Sequence, residues 1–528
     1  MITAPLSLSE DYWETLTIED TDLEFLYNYL LEIETPQTPD ELTRALVNGR
    51  IKEEKLAFSA RQNETGTIYL PKNQYHPDQT LLFSELNYRS ANVLTVRPGQ
   101  NPALPPFQVI EVEFNDGEKR SYATNLEEHN LNQQPSTEIT DPSMDVELIL
   151  EQYSEILLNQ LSNILHDNPD LVRIAGRWFP RALLVDVNIG HLNLAEALLD
   201  MEAGGPLPTS AILENIELPT DVNMNLTEFS LNLALQEDKR FDDVGSSGEV
   251  MWFLRRLEPA ELQEPPIFLR YHAHNYDVSA VKQILEEMLA DQVTDELESD
   301  KPLANGKEVT ISLIFPHWRT GTIPLSGMVN KLFPSAYESP RVQFTFVDEG
   351  DNKRFSGWVA RQSNCIYGLY EWYTQKGLIP GSLVHIKPSE KSGEVIIRAN
   401  TRRPTKEWLR TVLVGSDGGI VFANLKQLVS ASYDDRMAIA ISDIEVLDKV
   451  WEEKIWSKKP LKDIVYSMMK ELTKLNPQGH VHAHELYAAV NIIRRCPPGP
   501  ILSILVEQPW ATYFGDLYFH LSEGPREE

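Results

Sequence analysis

Apolar residues recur at helical spacing in three separate stretches of the chain, and each stretch is followed by a short alternating segment. In the first, Leu23, Leu26, Tyr27, Leu30 and Leu31 fall on one helix face. Thr38-Pro39-Asp40-Glu41 then opens a second helix, with a capping residue, a proline at the first helical position and acids in the first turn. A short β element, Gly66–Leu70, closes this copy. The second copy predicts helices near 191–200, 209–215 and 226–237, then a hairpin over 241–254 that turns at Gly245–Gly248. The third predicts helices over 461–472, 484–495 and 500–507, then a final strand pair over 513–521. Residues 1–70, 186–258 and 461–523 are expected to share one helix-and-hairpin arrangement, ending around Gly66, Gly248 and Gly515.

Period-two alternation fills much of the rest. Leu81–Phe83, Ala91–Val96, Phe107–Phe114 and Lys119–Ala123, separated by turns at Pro98-Gly99, Pro105-Pro106 and Asp116-Gly117, predict a small SH3-like barrel. Residues 132–142 and 257–266 read as linkers. A helix over 278–298 follows, in a stretch with seven acids and one lysine between Val281 and Asp300. It is a solvated face or an acidic partner surface, and the solvated face is the preferred reading. Strand-like segments then fall at 308–315, 321–325, 342–347, 354–362, 382–387 and 394–399, with helix-like segments at 325–332 and 370–376.

Charge narrows the function classes. The 528 residues carry 47 Lys and Arg against 79 Asp and Glu, a net −32, which argues against wholesale adhesion to nucleic acid or anionic lipid. No stretch approaches the roughly 20 apolar residues of a membrane span. The N-terminus has neither the basic nor the apolar region of a secretory signal, so a cytoplasmic location is expected. The two cysteines, Cys365 and Cys496, form no disulfide framework and no zinc quartet, and each reads as an apolar filler. One region runs against the trend: Arg341–Arg410 holds twelve cations and seven acids, leaving −37 on the remainder.

Two resemblances follow from these residues. Copies two and three resemble the winged-helix domain of the delta subunit of bacterial RNA polymerase and of some chromatin and restriction proteins. The likeness rests on Gly205–Leu213 with Arg240–Gly245, and on Val481–Tyr487 with Gly515–Phe519. The basic segment resembles the DNA-binding pseudobarrel of plant auxin-response-type transcription factors and restriction-endonuclease recognition domains. That likeness rests on Gly321–Leu325, Lys331–Pro334, Phe355–Trp358, Ser363-Asn364, Tyr367–Tyr373 and Lys376–Ile386. The second resemblance implies two arms that clasp a major groove, His317-Trp318-Arg319-Thr320 and Arg361-Gln362-Ser363-Asn364. Arg361 and Asn364 carry the donor and acceptor sets that read guanine and adenine. Arg402 and Arg403, outside the matched arms in a basic tail, are expected to serve phosphates.

The resulting expectation is an α+β multidomain chain. Its parts are 1–72 winged-helix-like, 73–132 an SH3-like β-barrel, 145–260 a helical and winged-helix region, and 267–304 an acidic helical connector. A DNA-binding-type β-pseudobarrel over 305–410, a small β/α segment over 411–457 and a C-terminal winged helix over 458–528 complete it. No catalytic residue, metal site or cofactor is expected. His480, His482 and His484 read as loop and helix-start residues, and Gly415–Gly419 as a hairpin turn. Asp40 with Glu53, Glu54 and Lys55 matches a nuclease spacing, but Pro39 starts a helix there, whereas such carboxylates need adjacent strands. The expected function is double-stranded DNA binding through 305–410, in transcription regulation or genome defence, with RNA polymerase or a defence-complex subunit as protein partner and no membrane. The alternative is an acidic protein-interaction adaptor, such as an RNA-polymerase accessory factor.

Overall fold

The computed structural model describes residues 12–522 except 66, 84–85, 87–88, 102–104, 133–144, 219–222, 247, 290–292, 299–307 and 336–338. The chain is a mixture of helices and separate β-sheets that divides into two units, residues 1–185 with 220–229, and residues 186–219 with 230–528. Among the described residues no helix is long and apolar enough to cross a membrane.

In the first unit, α1 (Asp20–Ile33) starts on a reciprocal cap between Glu19 and Asp22. The next helix, α2 (Pro39–Thr65), starts where the sequence predicts: Glu41 accepts from the Thr38 amide at 2.8 Å, and the Thr38 hydroxyl accepts from the Glu41 amide at 3.2 Å. A five-stranded sheet follows, with β1 (Thr67–Ile68), β2 (Thr80–Phe83), β3 (Arg89–Pro98), β4 (Gln108–Phe114) and β5 (Lys119–Thr124) in sequential order. Its two ends curl together, since the Leu126 amide donates to Pro71 and the Tyr69 hydroxyl bonds to Ala123. Helix α3 (Val146–Asp167) and the hairpin β6 (Leu171–Ile174) and β7 (Arg177–Pro180) complete the unit.

The expected close of copy one at Gly66–Leu70 is corrected here; Gly66 itself lies outside the described residues. Strand β1 pairs in parallel with β2, so it belongs to the five-stranded sheet. The cause is Tyr69, whose ring stacks 4.7 Å from Phe83 and lies 5.4 Å from Tyr122 in that sheet's core. The helices α1 and α2 are completed instead by α3 and β6–β7: Val47 and Ile51 bury against Ile149 and Leu157, and Gln37 bridges to Trp178. Residues 145–185 therefore belong with the start of the chain, not with 186–260.

The second unit begins with α4 (Ile189–Met201), β8 (Leu207–Pro208), α5 (Thr209–Leu213), the part of α6 (Met224–Glu237) from Ser230 onward, β9 (Phe241–Asp243) and β10 (Met251–Leu254). Helices α7 (Ala260–Gln263) and α8 (Val278–Met288) lead to a seven-stranded sheet. Its elements are β11 (Val309–Ser312), α9 (Phe315–Thr320), β12 (Ile323–Pro324), β13 (Arg341–Asp348), β14 (Arg354–Ala360), β15 (Cys365–Tyr367), α10 (Tyr370–Lys376), β16 (Leu383–Pro388) and β17 (Glu394–Arg398). The strand order is β11-β16-β17-β13-β14-β15-β12, and β13–β17 is its one parallel pair among the described residues. Gly321, with φ 65°, ends α9; a Cβ there would lie 2.2 Å from the Tyr370 amide nitrogen, so only glycine lets α9 meet α10.

Next comes a long ribbon, β18 (Thr401–Val414) and β19 (Ile420–Ala431), joined by the expected turn over Gly415–Gly419. The chain ends with β20 (Ala440–Ile441), α11 (Ile444–Glu452), α12 (Leu461–Thr473), β21 (His480–His482), α13 (Ala483–Asn491), α14 (Pro498–Glu507), β22 (Ala511–Gly515) and β23 (Tyr518–Leu521). The strand orders β8-β10-β9 and β21-β23-β22 are the same arrangement: the strand between the first two helices pairs with the last arm of the hairpin. The Gln37–Trp178 bridge repeats it in the first unit, with β7 next to β6. Helix, strand, helix, helix, hairpin thus occurs three times, once with a sheet inserted between the second and third helices.

Several expected segments differ. Residues 308–315 are a strand only to Ser312, because Phe315-Pro316 starts α9; 325–332 is a turn with a single 3-10 turn at its end. A boundary at 410 would cut β18 in half, and every residue from Thr405 to Val414 pairs with β19. The acidic connector is solvated only in part: α8 stops at Met288 and exposes Glu286 and Glu287, while Val281, Leu285 and Met288 pack with α14 in one core with α11, α12 and α13. Asp295 and Glu296 beyond it are buried on Arg495, at 2.6 Å and 2.8 Å, and the Arg495 side chain is 0% exposed. Tyr487 donates to Asp295 at 2.6 Å, and His317 meets Glu296 at 2.9 Å. Burial alone would raise the Glu296 carboxyl, but Arg495 and His317 hold it well below the usual carboxylate range. Replacing Arg495 with Met should destabilise the chain by about 3–5 kcal/mol, because two carboxylates stay buried without their cation. Urea denaturation at neutral pH measures this; a loss below about 1 kcal/mol would contradict the buried network.

Candidate nucleic-acid interface

In the first expected arm His317 is buried, while Trp318, Arg319 and Thr320 are half-buried and engaged within the fold. Helix α9 forms because Pro316 suits its first turn and Gly321 ends it in the left-handed region. His317 is buried between Glu296 and Thr322. The Trp318 indole donates to the Leu378 carbonyl at 2.7 Å. Arg319 grips Asp448 with two hydrogen bonds, 3.1 and 2.7 Å, and lies over the Phe268 ring. The Thr320 hydroxyl donates to Pro316 at 2.8 Å. Trp318 and Arg319 therefore join the seven-stranded sheet to the C-terminal helices, and Thr320 bonds within its own helix; they do not form a projecting arm.

The second expected arm is a surface turn. Ala360 pairs with Cys365, so Arg361-Gln362-Ser363-Asn364 is the whole loop between β14 and β15. Asn364 adopts φ 49°, a region that asparagine tolerates. The backbone is pinned: the Arg361 amide donates to Pro340, and Asn364 accepts from the Leu325 amide at 2.8 Å. The Ser363 hydroxyl accepts from Tyr367 at 3.2 Å. Among the described residues, the side chains of Arg361, Gln362 and Asn364 have no hydrogen-bond or ion-pair partner.

Most of the local positive charge is spent internally. Arg354 pairs with Glu394, Lys376 with Asp348, Arg398 with Glu308 and Glu349, and Arg410 with Glu485. Arg402 lies on β18, not in a tail, and pairs with Glu407. The cations of 341–410 left without an ion pair among the described residues are Lys353, which bonds to Gln375 instead, Arg361, Lys391, Arg403 and Lys406. They do not form one patch. Arg361 lies beyond the Arg341 end of β13, and Arg403 and Lys406 follow β17 beyond its Asp348 end. Along the strands these ends are seven residues apart, roughly 23 Å at 3.3 Å per residue.

Another surface escaped the sequence reading. On one face of β18–β19, Trp408 and Leu428 are each 66% exposed, and the Lys426 ammonium lies 5.2 Å from the Trp408 ring centre. Lys406 is opposite Leu428, and Trp408 opposite Lys426. The signal was present as Lys406-x-Trp408 and Lys426-x-Leu428, spaced at the strand period.

The histidines give no ligand cluster: His482 caps α13 by accepting from the His484 amide, and Arg436 faces its other nitrogen. Burial, His484 and Arg436 push His482 down to about 3. Among the described residues no group of three or more His, Cys, Asp or Glu is placed to hold a metal ion. Both cysteines are buried, and burial pushes the Cys496 thiol up to about 12. Compared with protein-family models, curated proteins and solved structures, the chain matches none.

Arg341, the first cation of the basic segment, is also committed: one of its nitrogens serves Asp242 at 2.7 Å and Glu258 at 2.9 Å. Arg255 adds only a 3.5 Å contact to Asp242 from a half-exposed position, so Glu258 shares its one close cation with a second buried carboxylate. Burial and the adjacent Asp242 raise the Glu258 carboxyl to about 8. The folded chain then holds a proton that the unfolded chain releases near 4.5, so this stabilisation is complete below about pH 4.5 and lost as pH rises toward 8. Relative to the parent, Glu258→Gln should therefore melt several degrees higher at pH 9 than its own offset at pH 5. Thermal scans at both pH values test this; a larger penalty at pH 9 would show that ionised Glu258 stabilises the fold.

Proposed function

We propose that this chain is a cytoplasmic, non-catalytic DNA-binding protein of transcription regulation or genome defence, and that duplex DNA is read by the turn Arg361–Asn364. The carrying observation is that this turn holds its backbone rigidly while leaving Arg361, Gln362 and Asn364 uncommitted in a segment where most other cations are engaged. Arginine can bond guanine edges in two places, and asparagine or glutamine can do so with adenine. The reading of the 305–410 region as a DNA-binding-type pseudobarrel rests on its mixed seven-stranded sheet. The three helix–strand–helix–helix–hairpin units support winged-helix modules, and the curled five-stranded sheet supports an SH3-like barrel.

A specific observation also favours the adaptor reading, with RNA polymerase or a defence-complex subunit as partner. The third helices of the repeated units are poor groove readers. Helix α6 has no Lys or Arg, and Pro498–Leu505 of α14 are all buried. If DNA is bound, these modules act as protein contacts while the sheet turn does the reading.

In the full-length chain, Asn364→Ala should relax preference at one base pair at about 1–3 kcal/mol, while Arg403→Ala should weaken all sequences alike and reduce the salt slope by about one. Anisotropy titrations with a selected and a scrambled duplex at two salt concentrations measure both. Equal loss for every sequence on Asn364→Ala would remove base reading, and no duplex binding at low salt would leave the adaptor.

A further inference from the structure

We propose, resting on the nucleic-acid reading above, that the exposed face of the β18–β19 ribbon binds single-stranded nucleic acid, with a base stacked on Trp408 and phosphates on Lys406 and Lys426. Four observations carry this. The ribbon is a fixed platform: behind Trp408, Leu409 and Val429 pack with Ala438 and Ala440, and further along, Val412 and Phe422 bury in the core of the C-terminal helices. Its turn is held where the Trp456 indole donates to Gly418 at 2.9 Å. The front face nevertheless exposes the largest apolar side chain a strand can offer, and burial of Trp408 would normally be favoured by a few kcal/mol. The charge around it suits phosphate: Lys406 and Lys426 share the face of Trp408, and neither has a carboxylate partner among the described residues.

The geometry separates single strands from duplex. In a duplex both faces of each base are covered by neighbours, so an exposed indole has nothing to stack on. An unpaired base presents its face, and stacking on an aromatic ring is tolerant of sequence. Lys426 covers one side of the Trp408 ring, fixing its orientation by a cation–π contact and leaving the other side for a base. Lys406 precedes Trp408 by two residues on the same strand face, and Lys426 is its cross-strand partner, so cations flank the ring along and across the ribbon. A protein partner is disfavoured by the small apolar area, a tryptophan and a leucine bordered by lysines.

The test titrates full-length protein with fluorescent oligothymidylate and with a duplex, comparing Trp408→Ala, Trp408→Phe and Lys406→Glu with Lys426→Glu. Trp408→Ala should lose at least fivefold in oligothymidylate affinity and leave duplex affinity unchanged, Trp408→Phe should recover most of the loss, and the double reversal should abolish binding at low salt. Unchanged far-ultraviolet circular dichroism and melting temperature confirm the fold of each variant, since Trp408 is exposed. Oligothymidylate affinity that is equal in parent and Trp408→Ala overturns the stacking site. Duplex binding without oligothymidylate binding also overturns it, while the Arg361–Asn364 reading stands. Trp408-dependent oligothymidylate binding without duplex binding keeps this site and removes that reading. Binding of neither removes both.

Discussion

Arg495 holds the second unit together by occupying the point where three chain segments meet. Its guanidinium reaches Asp295 and Glu296 from the segment after α8, Glu296 reaches His317 on α9, and Asp295 takes the Tyr487 hydroxyl of α13. Ions buried this completely carry a large desolvation cost, which their mutual attraction offsets only in good geometry. The arrangement therefore tolerates little displacement. It makes α9 a joint between the seven-stranded sheet and the C-terminal helices, and Arg319 reinforces that joint through Asp448.

This use of charge changes the meaning of the basic segment. A local surplus in sequence suggests a positive surface, but a surface needs cations that face solvent without carboxylates beside them. Here Arg341 is buried on Asp242 and Glu258, Lys376 on Asp348, and Arg410 on Glu485. Of the unpaired cations, Arg361 lies in a turn at one end of the sheet, whereas Arg403 and Lys406 lie on a ribbon beyond the other. Two separate sites follow more naturally from that division than one continuous clasp.

The first unit shows a similar redistribution. The predicted helix starts at Thr38 and the alternating strands of 80–124 appear as expected. The three-helix arrangement is nevertheless completed by α3 and β6–β7, some eighty residues beyond α2 in the chain. Strand β1 is the element that misleads. Two residues of strand carry no information about their pairing partner, and Tyr69 commits them to the aromatic core of the sheet.

What the sequence determined by itself was local. Periodicity and caps located α1, α2, α4, α6, α12 and α14, alternation located β13, β14, β16 and β17, and the glycine turn of 415–419 marked the ribbon's bend. The turn Arg361–Asn364 came from the family resemblance, whereas periodicity ran the preceding strand on through Gln362 and the structure ends it at Ala360. Tertiary structure decided the rest: that α9 is a joint, that Asp295 and Glu296 after α8 are interior, that Arg402 has a carboxylate partner, and that Trp408 faces solvent. The physical reason is one of range. Helix capping and strand alternation act over a few residues, whereas the partner of a charge or an aromatic ring is set by which distant segment packs against it. Arg495 and Asp295 are 200 residues apart in the chain and 2.6 Å apart in space.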